Sequence, residues 1–313
     1  MVTKILVAGA GSIGRRHAEN LAALGAEVTL KGWRGWGLAG LEADLADHDA
    51  LVVATATDLR LPLIEIAARM DKPLFIEKPL AFQRDELAVI ADVTRAVADR
   101  SMLGYMMRYH PAFRVLAATD LSDIFQFSLT IGHDVTQWRQ NWRFSESYAA
   151  RAEGGGVLLD LCHELDMAAC LFPGLAPVMV EAQGHAAYPG VDMASRISLR
   201  NTQVTGEVTM DYLTPRMHRQ AILRGTRARH QFDYVAQDYR TETLSGVTQH
   251  DRPLERNAMF MAISRDFLAL VEGRAPSDIE HLPRLDLALA SARLVADCWQ
   301  TRSFIGTIDK ELP

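Results

Sequence analysis

Long apolar runs are missing from this sequence. No stretch reaches the roughly 20 residues that cross a bilayer. The opening "MVTKILVAGAGSIG" holds only a short apolar run that leads into a glycine turn, which argues against a secretory leader. Cysteine is scarce: Cys162, Cys170 and Cys298 are the only three, with no CxxC spacing. That excludes a disulfide framework and points to a reducing compartment, the cytoplasm by default. Basic runs are missing as well. With 33 Lys and Arg against 39 Asp and Glu, the net charge is −6, so neither nucleic acid nor a membrane is an expected partner. Internal repeats and low-complexity tracts are also absent.

What is present is a chain of 313 residues, 49% hydrophobic and 23% charged, enough for one large or two ordinary globular domains. The first third alternates short apolar runs with helical patterns. Strands are expected at "KILVAGAG", "EVTLK" (27–31), "ALVVAT" (50–55), "PLFIE" (73–77) and "MLGYMM" (102–107). Helices are expected over 13–24 and 61–69, with a third carrying Leu87, Ile90, Val93 and Val97 on one face. The glycine-rich piece between strands two and three reads as a loop or an abbreviated helix. This order predicts a doubly wound parallel sheet, an N-terminal Rossmann-type domain over residues 1–118.

Beyond residue 118 the period changes. "FQFSLTI" sets Phe125, Phe127, Leu129 and Ile131 against polar neighbours, and "QVTGEVTMDY" does the same with Val204, Val208, Met210 and Tyr212. Such alternation marks strands with one buried face. Residues 119–313 therefore read as an α+β domain with a large, mostly antiparallel sheet of about five or six strands. Two closing helices, one on Met259, Ile263, Phe267 and Leu270 and one on Leu285, Leu289, Ala292 and Trp299, are expected to pack back toward the first domain.

"GAGSIG" places Gly9, Gly11 and Gly14 directly after the first strand, with Ser12 and Ile13 opening the helix. The first glycine permits the tight turn and the second lets a pyrophosphate approach the backbone. The third lets the helix pack closely on the strand, and the helix N-terminus faces the phosphate. The acid that holds a bare ribose 2′-hydroxyl is expected about 20 residues further on. Here Lys31 and Arg34 occupy that place, with no carboxylate before Glu42. The positive charge favours NADP over NAD; the alternative is a pair of solvated loop charges.

Lys78 leaves the fourth strand in "EKP", at the end of the sheet where ligands of open α/β folds bind. Most lysines after a strand are simply solvated, but burial lowers a lysine pKa toward working pH. The second constellation is "GGGVLLDLCHELDMAACLF", residues 154–172, where Asp160, His163 and Asp166 recur at intervals of three on one expected helix face. Three readings stand: a histidine tuned as proton acceptor, a sparse metal site, or polar residues that satisfy one another. The metal reading is the weakest of the three, and no metal is expected. In the preceding loop "QWRQNWRFSESYAARAEGGG", Arg139, Arg143 and Arg151 alternate with Trp138, Trp142 and Tyr148. Arginine forks bind carboxylate or phosphate and aromatic faces stack on sugars, so Trp138, Arg139 and Tyr148 are candidate contacts to an anionic sugar. A surface or subunit-contact loop is the alternative.

"GAGSIG", "EKP" and the GGG…D..H..D segment come in the order found in the Gfo/Idh/MocA family of nicotinamide-dependent oxidoreductases, which this chain resembles over essentially its whole length. The resemblance implies that Lys78 orients the substrate and tunes proton transfer, that His163 is the acid/base and that Asp166 holds a neighbouring hydroxyl. It also places Thr55, Thr57 and Glu77 by the nicotinamide and Arg108 of "GYMMRYHP" by the substrate. Many members set the aspartate four residues before the histidine, whereas Asp160 precedes His163 by three, which leaves the role of Asp160 open. The "DLCHELD" form resembles a subgroup tied to nine-carbon and nucleotide-sugar pathways. The implied function is hydride transfer between NAD(P) and a secondary hydroxyl or ketone of a sugar, sugar acid or nucleotide sugar. The implied assembly is a homodimer or homotetramer through the C-terminal sheet. A glycosidase-type enzyme with retained NAD and a non-catalytic sensor are the alternatives.

Overall fold

A computed structural model describes residues 2–138, 143–277 and 279–312. The first half of the chain runs β1 (Lys4–Ala8), α1 (Ser12–Ala23), β2 (Glu27–Lys31), α2 (Gly37–Ala46), β3 (Ala50–Val53) and α3 (Arg60–Arg69). It continues through β4 (Leu74–Ile76), α4 (Arg84–Val93), β5 (Met102–Leu103), α5 (Pro111–Ala117), β6 (Ile124–Gly132), α6 (Val157–Asp160) and α7 (His163–Leu171). Then come seven strands, β7 (Ala176–His185), β8 (Ala194–Arg200), β9 (Thr205–Asp211), β10 (His218–Gly225), β11 (Ala228–Asp233), β12 (Asp238–Thr243) and β13 (Gly246–Gln249). The chain closes with α8 (Arg256–Val271), α9 (Leu285–Thr301) and β14 (Ser303–Ile308). Two compact units emerge: residues 1–110 with 254–292, and residues 111–253 with 293–313. Helix α8 thus counts with the first unit.

In the first unit five parallel strands lie in the order β2-β1-β3-β4-β5. Ile5 to Ala8, Ala50 to Val53 and Leu74 to Ile76 are buried without a break, because helices cover both faces of such a sheet. The glycine-rich piece forms a full helix, α2, because Leu41 and Leu45 supply a buried stripe. Strand β5 is shorter than expected. Pairing ends near Gly104, and Met106–Tyr109 turn as a 3₁₀ helix.

In the second unit nine strands form one mixed sheet, β13-β12-β11-β10-β6-β9-β8-β7-β14, against the five or six expected. The excess is in strands that carry no alternation to read: β13 is exposed throughout, and β14 nearly so. Most pairs are antiparallel, but β6 pairs β9 and β7 pairs β14 in parallel. Phe125, expected inside, is 51% exposed. An irregularity opposite Arg224 and Gly225 shifts the register, and Ile124 takes the inner position.

Phe127, Leu129, Val208, Met210 and Tyr212 form the inner face as expected. Phe127 stacks on Phe172 with ring centroids 5.0 Å apart, and it lies across from Gly206 in the β6–β9 register. A Cβ on Gly206 would come within 2.2 Å of the Phe127 ring. Among the described residues no helix is long and apolar enough to cross a membrane. Gly206→Val is expected to displace the Phe127–Phe172 stack and cost about 1–3 kcal/mol. A thermal melt would read this as a midpoint lowered by several degrees, and an unchanged midpoint would show that the ring has room to retreat.

Candidate functional site

Each unit contributes its own group of candidate residues. In the first, the glycine turn follows β1. Gly9 has φ +116°, and a Cβ there would lie 2.5 Å from the Ala54 carbonyl oxygen, so the loop depends on glycine at this point. Gly14 approaches still closer, since its Cβ would fall 1.8 Å from the Gly9 carbonyl oxygen. Gly11 differs from both. Nothing lies within 4 Å of the place its Cβ would take, the kind of open cradle a pyrophosphate needs. Beyond β3, Thr55 is 8% exposed and its Oγ1 has no hydrogen-bond partner, while Thr57 is buried in the following turn. A buried hydroxyl left unmade is costly. Together with the open turn, it fits a bound dinucleotide held by Gly9, Gly11, Ser12, Ile13, Gly14 and Thr55.

At the far end of β2, Lys31 does not stand alone. Its Nζ lies 3.0 Å from Asp44 Oδ2, which also accepts a 2.9 Å bond from Trp36 Nε1. The Lys31 and Trp36 contacts hold the Asp44 carboxyl below its usual range. Arg34 is exposed, and no ion pair to it is found among the described residues. Asp44 is the acid that a count along the strand misses, because α2 folds it back.

The EKP turn is built around Glu77. This residue is 6% exposed, with Oε1 2.6 Å from His17 Nε2 on α1 and Oε2 accepting from the Lys78 amide at 3.2 Å. His17 is enclosed by Phe75 at 4.7 Å and Phe260 at 6.2 Å between ring centroids. A Cβ on Gly104 would meet Glu77 Oε1 at 2.9 Å, so the carboxylate presses on bare backbone there. Burial alone would raise the Glu77 pKa, but the His17 hydrogen bond and the charges of His17, Lys78 and Arg60 lower it below the usual range. Glu77 is therefore an anchored internal group. Lys78, next in the chain, is half-buried.

Arg108 also turns inward. It is 4% exposed, and its guanidinium reaches the carbonyls of His281 (3.3 Å) and Leu282 (3.5 Å) and the Ser291 hydroxyl (3.1 Å). Those contacts tie the segment after β5 to α9.

In the second unit the expected single helix is broken. α6 ends at Asp160, Leu161 and Cys162 leave helical geometry, and α7 begins at His163. Asp160 thus closes α6, while His163 and Asp166 keep one face of α7. The Asp192 side chain accepts from the Leu158 amide at 2.8 Å and its carbonyl from the Val157 amide at 2.9 Å, capping α6 from outside. At Gly156 a Cβ would strike Asp192 Oδ1 at 2.0 Å. The Asp160 carboxylate accepts from the hydroxyl of Tyr148 and, at 3.0 Å, from that of Tyr212.

Burial, with the charge of Asp160, raises the Tyr212 phenol well above its usual range, so it stays a donor. Tyr148 is 42% exposed, Trp138 packs edge-on to Tyr212 at 5.4 Å, and Arg139 and Trp142 lie outside the described residues. His163 is 7% exposed and Asp166 fully buried, with the Cys170 thiol 3.9 Å from Asp166 Oδ1. Beside His163, Glu164 meets Arg219 of β10 at 2.5 Å. Among the described residues no group of three His, Cys, Asp or Glu could hold a metal ion.

Residues 109–231 match the family model for the GFO/IDH/MocA C-terminal domain. Over that segment the chain is similar to the Gfo/Idh/MocA family. Inositol 2-dehydrogenase of Rhizobium meliloti is 30% identical over 199 residues, 58% of each chain. UDP-N-acetylglucosamine 3-dehydrogenase of Acidithiobacillus ferrooxidans is 26% identical over 204 residues, 60% of each. The alignments thus span under two thirds of either relative's length. The structure of a 3-ketoreductase from Actinomadura kijaniata, solved with NADP and TDP-benzene, superposes with a TM-score of 0.76 at 21% identity. It covers 98% of this chain and 99% of that one, a likeness of fold.

Two residues escaped the reading of the sequence. His17 has no partner pattern near it, since Glu77 lies 60 positions away; only the inward stripe of α1, shared with Gly14 and Leu21, hints at its burial. Asp44 was hidden in the same way. The Glu77 shift fixes a pH dependence. A carboxylate with a lowered folded pKa contributes stability above its unfolded value, near 4.3, and loses it as pH falls through the folded value. Thermal melts from pH 6 down to about pH 3 are expected to show Glu77→Gln less stable than the parent at the upper end and less sensitive to acid. Parallel curves would remove Glu77 from the acid response.

Proposed function

We propose that the chain is an NADP-favouring oxidoreductase that transfers hydride between the nicotinamide and a secondary hydroxyl or ketone of an anionic sugar, either a sugar acid or a nucleotide sugar. The carrying observation is the open glycine turn with the unpartnered Thr55 hydroxyl beside it, on the same sheet end as Lys78. The names of the relatives support a polyol or nucleotide-sugar class, and the NADP in the 3-ketoreductase structure supports the cofactor class. When bound, the cofactor supplies the hydride acceptor or donor.

The chain's own residues do the rest. Lys78 orients the substrate, polarises the reacting oxygen and stabilises the charge that grows there. His163 takes the hydroxyl proton in oxidation and returns it in reduction. Asp166 holds a neighbouring hydroxyl. Asp160, engaged by two phenols, orients Tyr148 toward the sugar, with Trp138 and Arg139 as further contacts. Homodimer or homotetramer assembly through the C-terminal sheet is part of the same reading. Its support is a broad second sheet face on which Ser128 and Thr130 are only half-buried.

Turnover is tested by the absorbance of reduced nicotinamide across polyols, free sugars, sugar acids and nucleotide sugars. Lys78→Met and His163→Asn are each expected to lower kcat on the order of 10²- to 10⁴-fold. Saturable cofactor binding without turnover on any of these would move the reading to a retained-cofactor hydrolase or a sensor.

Cofactor choice has a separate test. A 2′-phosphate must draw Lys31 away from Asp44, whereas Arg34 is free to meet it. Arg34→Ala is expected to weaken NADP binding about tenfold, or 1.4 kcal/mol, with NAD little changed. Asp44→Asn is expected to tighten NADP. Quenching of Trp33 and Trp36 fluorescence reads both, and equal losses for NAD and NADP in Arg34→Ala would end the preference.

A further inference from the structure

We propose that Arg60 is a positioning residue that sets Lys78 by clamping the backbone of the EKP turn; this rests on the reading of Lys78 above. Arginine is rarely buried, yet Arg60 is 4% exposed. It also opens α3, and the N-terminus of a helix is where a cation is least favoured. Neither helix propensity nor the hydrophobic core accounts for it. Its contacts do.

The guanidinium donates to four carbonyls at the ends of two neighbouring strands. Nε and Nη2 reach the Thr55 carbonyl oxygen at 3.2 and 2.9 Å, beyond β3. Nη1 donates to the carbonyls of Glu77 and Pro79, and Nη2 lies 3.4 Å from that of Lys78, beyond β4. β3 and β4 are paired in parallel through Val53 and Ile76. One planar fork therefore ties the turn that carries the unpartnered Thr55 hydroxyl to the turn that carries Lys78. From another side, His17 holds the Glu77 carboxylate at 2.6 Å. Carbonyls and carboxylate are thus both fixed on either side of the Lys78 Cα.

A lysine at position 60 keeps the charge but has three donors on one nitrogen, so it cannot span from Thr55 to Pro79. Backbone amide exchange followed by mass spectrometry tests the clamp without any substrate. In the wild type the Glu77 and Lys78 amides should exchange as slowly as β3 and β4. In Arg60→Lys, and more strongly in Arg60→Gln, peptides covering 54–58 and 74–83 should exchange on the order of tenfold faster, with β1 and α1 unchanged. Loop-like exchange at Glu77 and Lys78 in the wild type overturns the proposal, as does acceleration spread evenly through the first unit.

Steady-state kinetics supply a second arm. Arg60→Lys should lower kcat on the order of 10- to 100-fold with KM within about twofold. The same change in a Lys78→Met background should cost less than about twofold, because the effect passes through Lys78. Equal losses in both backgrounds would make Arg60 a general structural brace. If no sugar is turned over, the oxidoreductase reading falls with the kinetic arm, and the exchange data still decide the clamp.

Discussion

A carboxylate as deeply buried as Glu77 has to be met by donors, and the first unit is arranged around that requirement. Desolvation of an ionised group costs several kcal/mol unless hydrogen bonds and opposite charge offset it. His17 Nε2 meets one carboxylate oxygen and the Lys78 amide donates to the other. The demand reaches outward from there. α1 must lie close enough for its sixth residue, His17, to reach Phe75 of β4 and Glu77 just beyond it, which the bare Cα of Gly14 against Gly9 permits. The chain after β5 must pass without a side chain at Gly104. The glycine turn read as a phosphate cradle is also what brings His17 into register with Glu77, so the cofactor end of α1 and the EKP turn share one set of constraints.

In the second unit the corresponding constraint is the break between α6 and α7. The Asp192 cap fixes a four-residue helix that ends at Asp160, and the phenols of Tyr148 and Tyr212 donate to the Asp160 carboxylate. Each of these partners comes from elsewhere in the chain, and Gly156 is the residue that lets Asp192 approach. The three-residue spacing between Asp160 and His163 thus falls across a helix break.

What was legible in the sequence follows from the range of the interaction. The glycine turn, the parallel strands and the alternation in β6 and β9 are local patterns, and each formed close to where its period placed it. The exposed edge strands β13 and β14 bury neither face, so no alternation marked them. The His17–Glu77 and Lys31–Asp44 pairs join residues on separate elements, and no spacing rule reaches them. The resemblance placed Arg108 by the substrate, and no local pattern announces its partners near residues 281–291, far down the chain. The broken helix failed for a related reason: a period of three is compatible with a helix but cannot register a cap supplied by Asp192.

The residues assigned to proton work share one further arrangement. Lys78 directly follows Glu77, which is paired with His17 at 2.6 Å; His163 directly precedes Glu164, which is paired with Arg219 at 2.5 Å. Both glutamates are buried. Buried ion pairs are poor sources of stability, since apolar replacements of similar volume are often neutral or better. Position is the property an apolar replacement could not supply. Adjacent residues on a strand end or a helix point in different directions. Pinning the glutamate therefore fixes the backbone under its neighbour while leaving that neighbour's side chain facing elsewhere. A side chain that acts on a substrate must be held to a fraction of an ångström yet face away from its own anchor. An anchor one residue away meets both conditions, and each unit provides one.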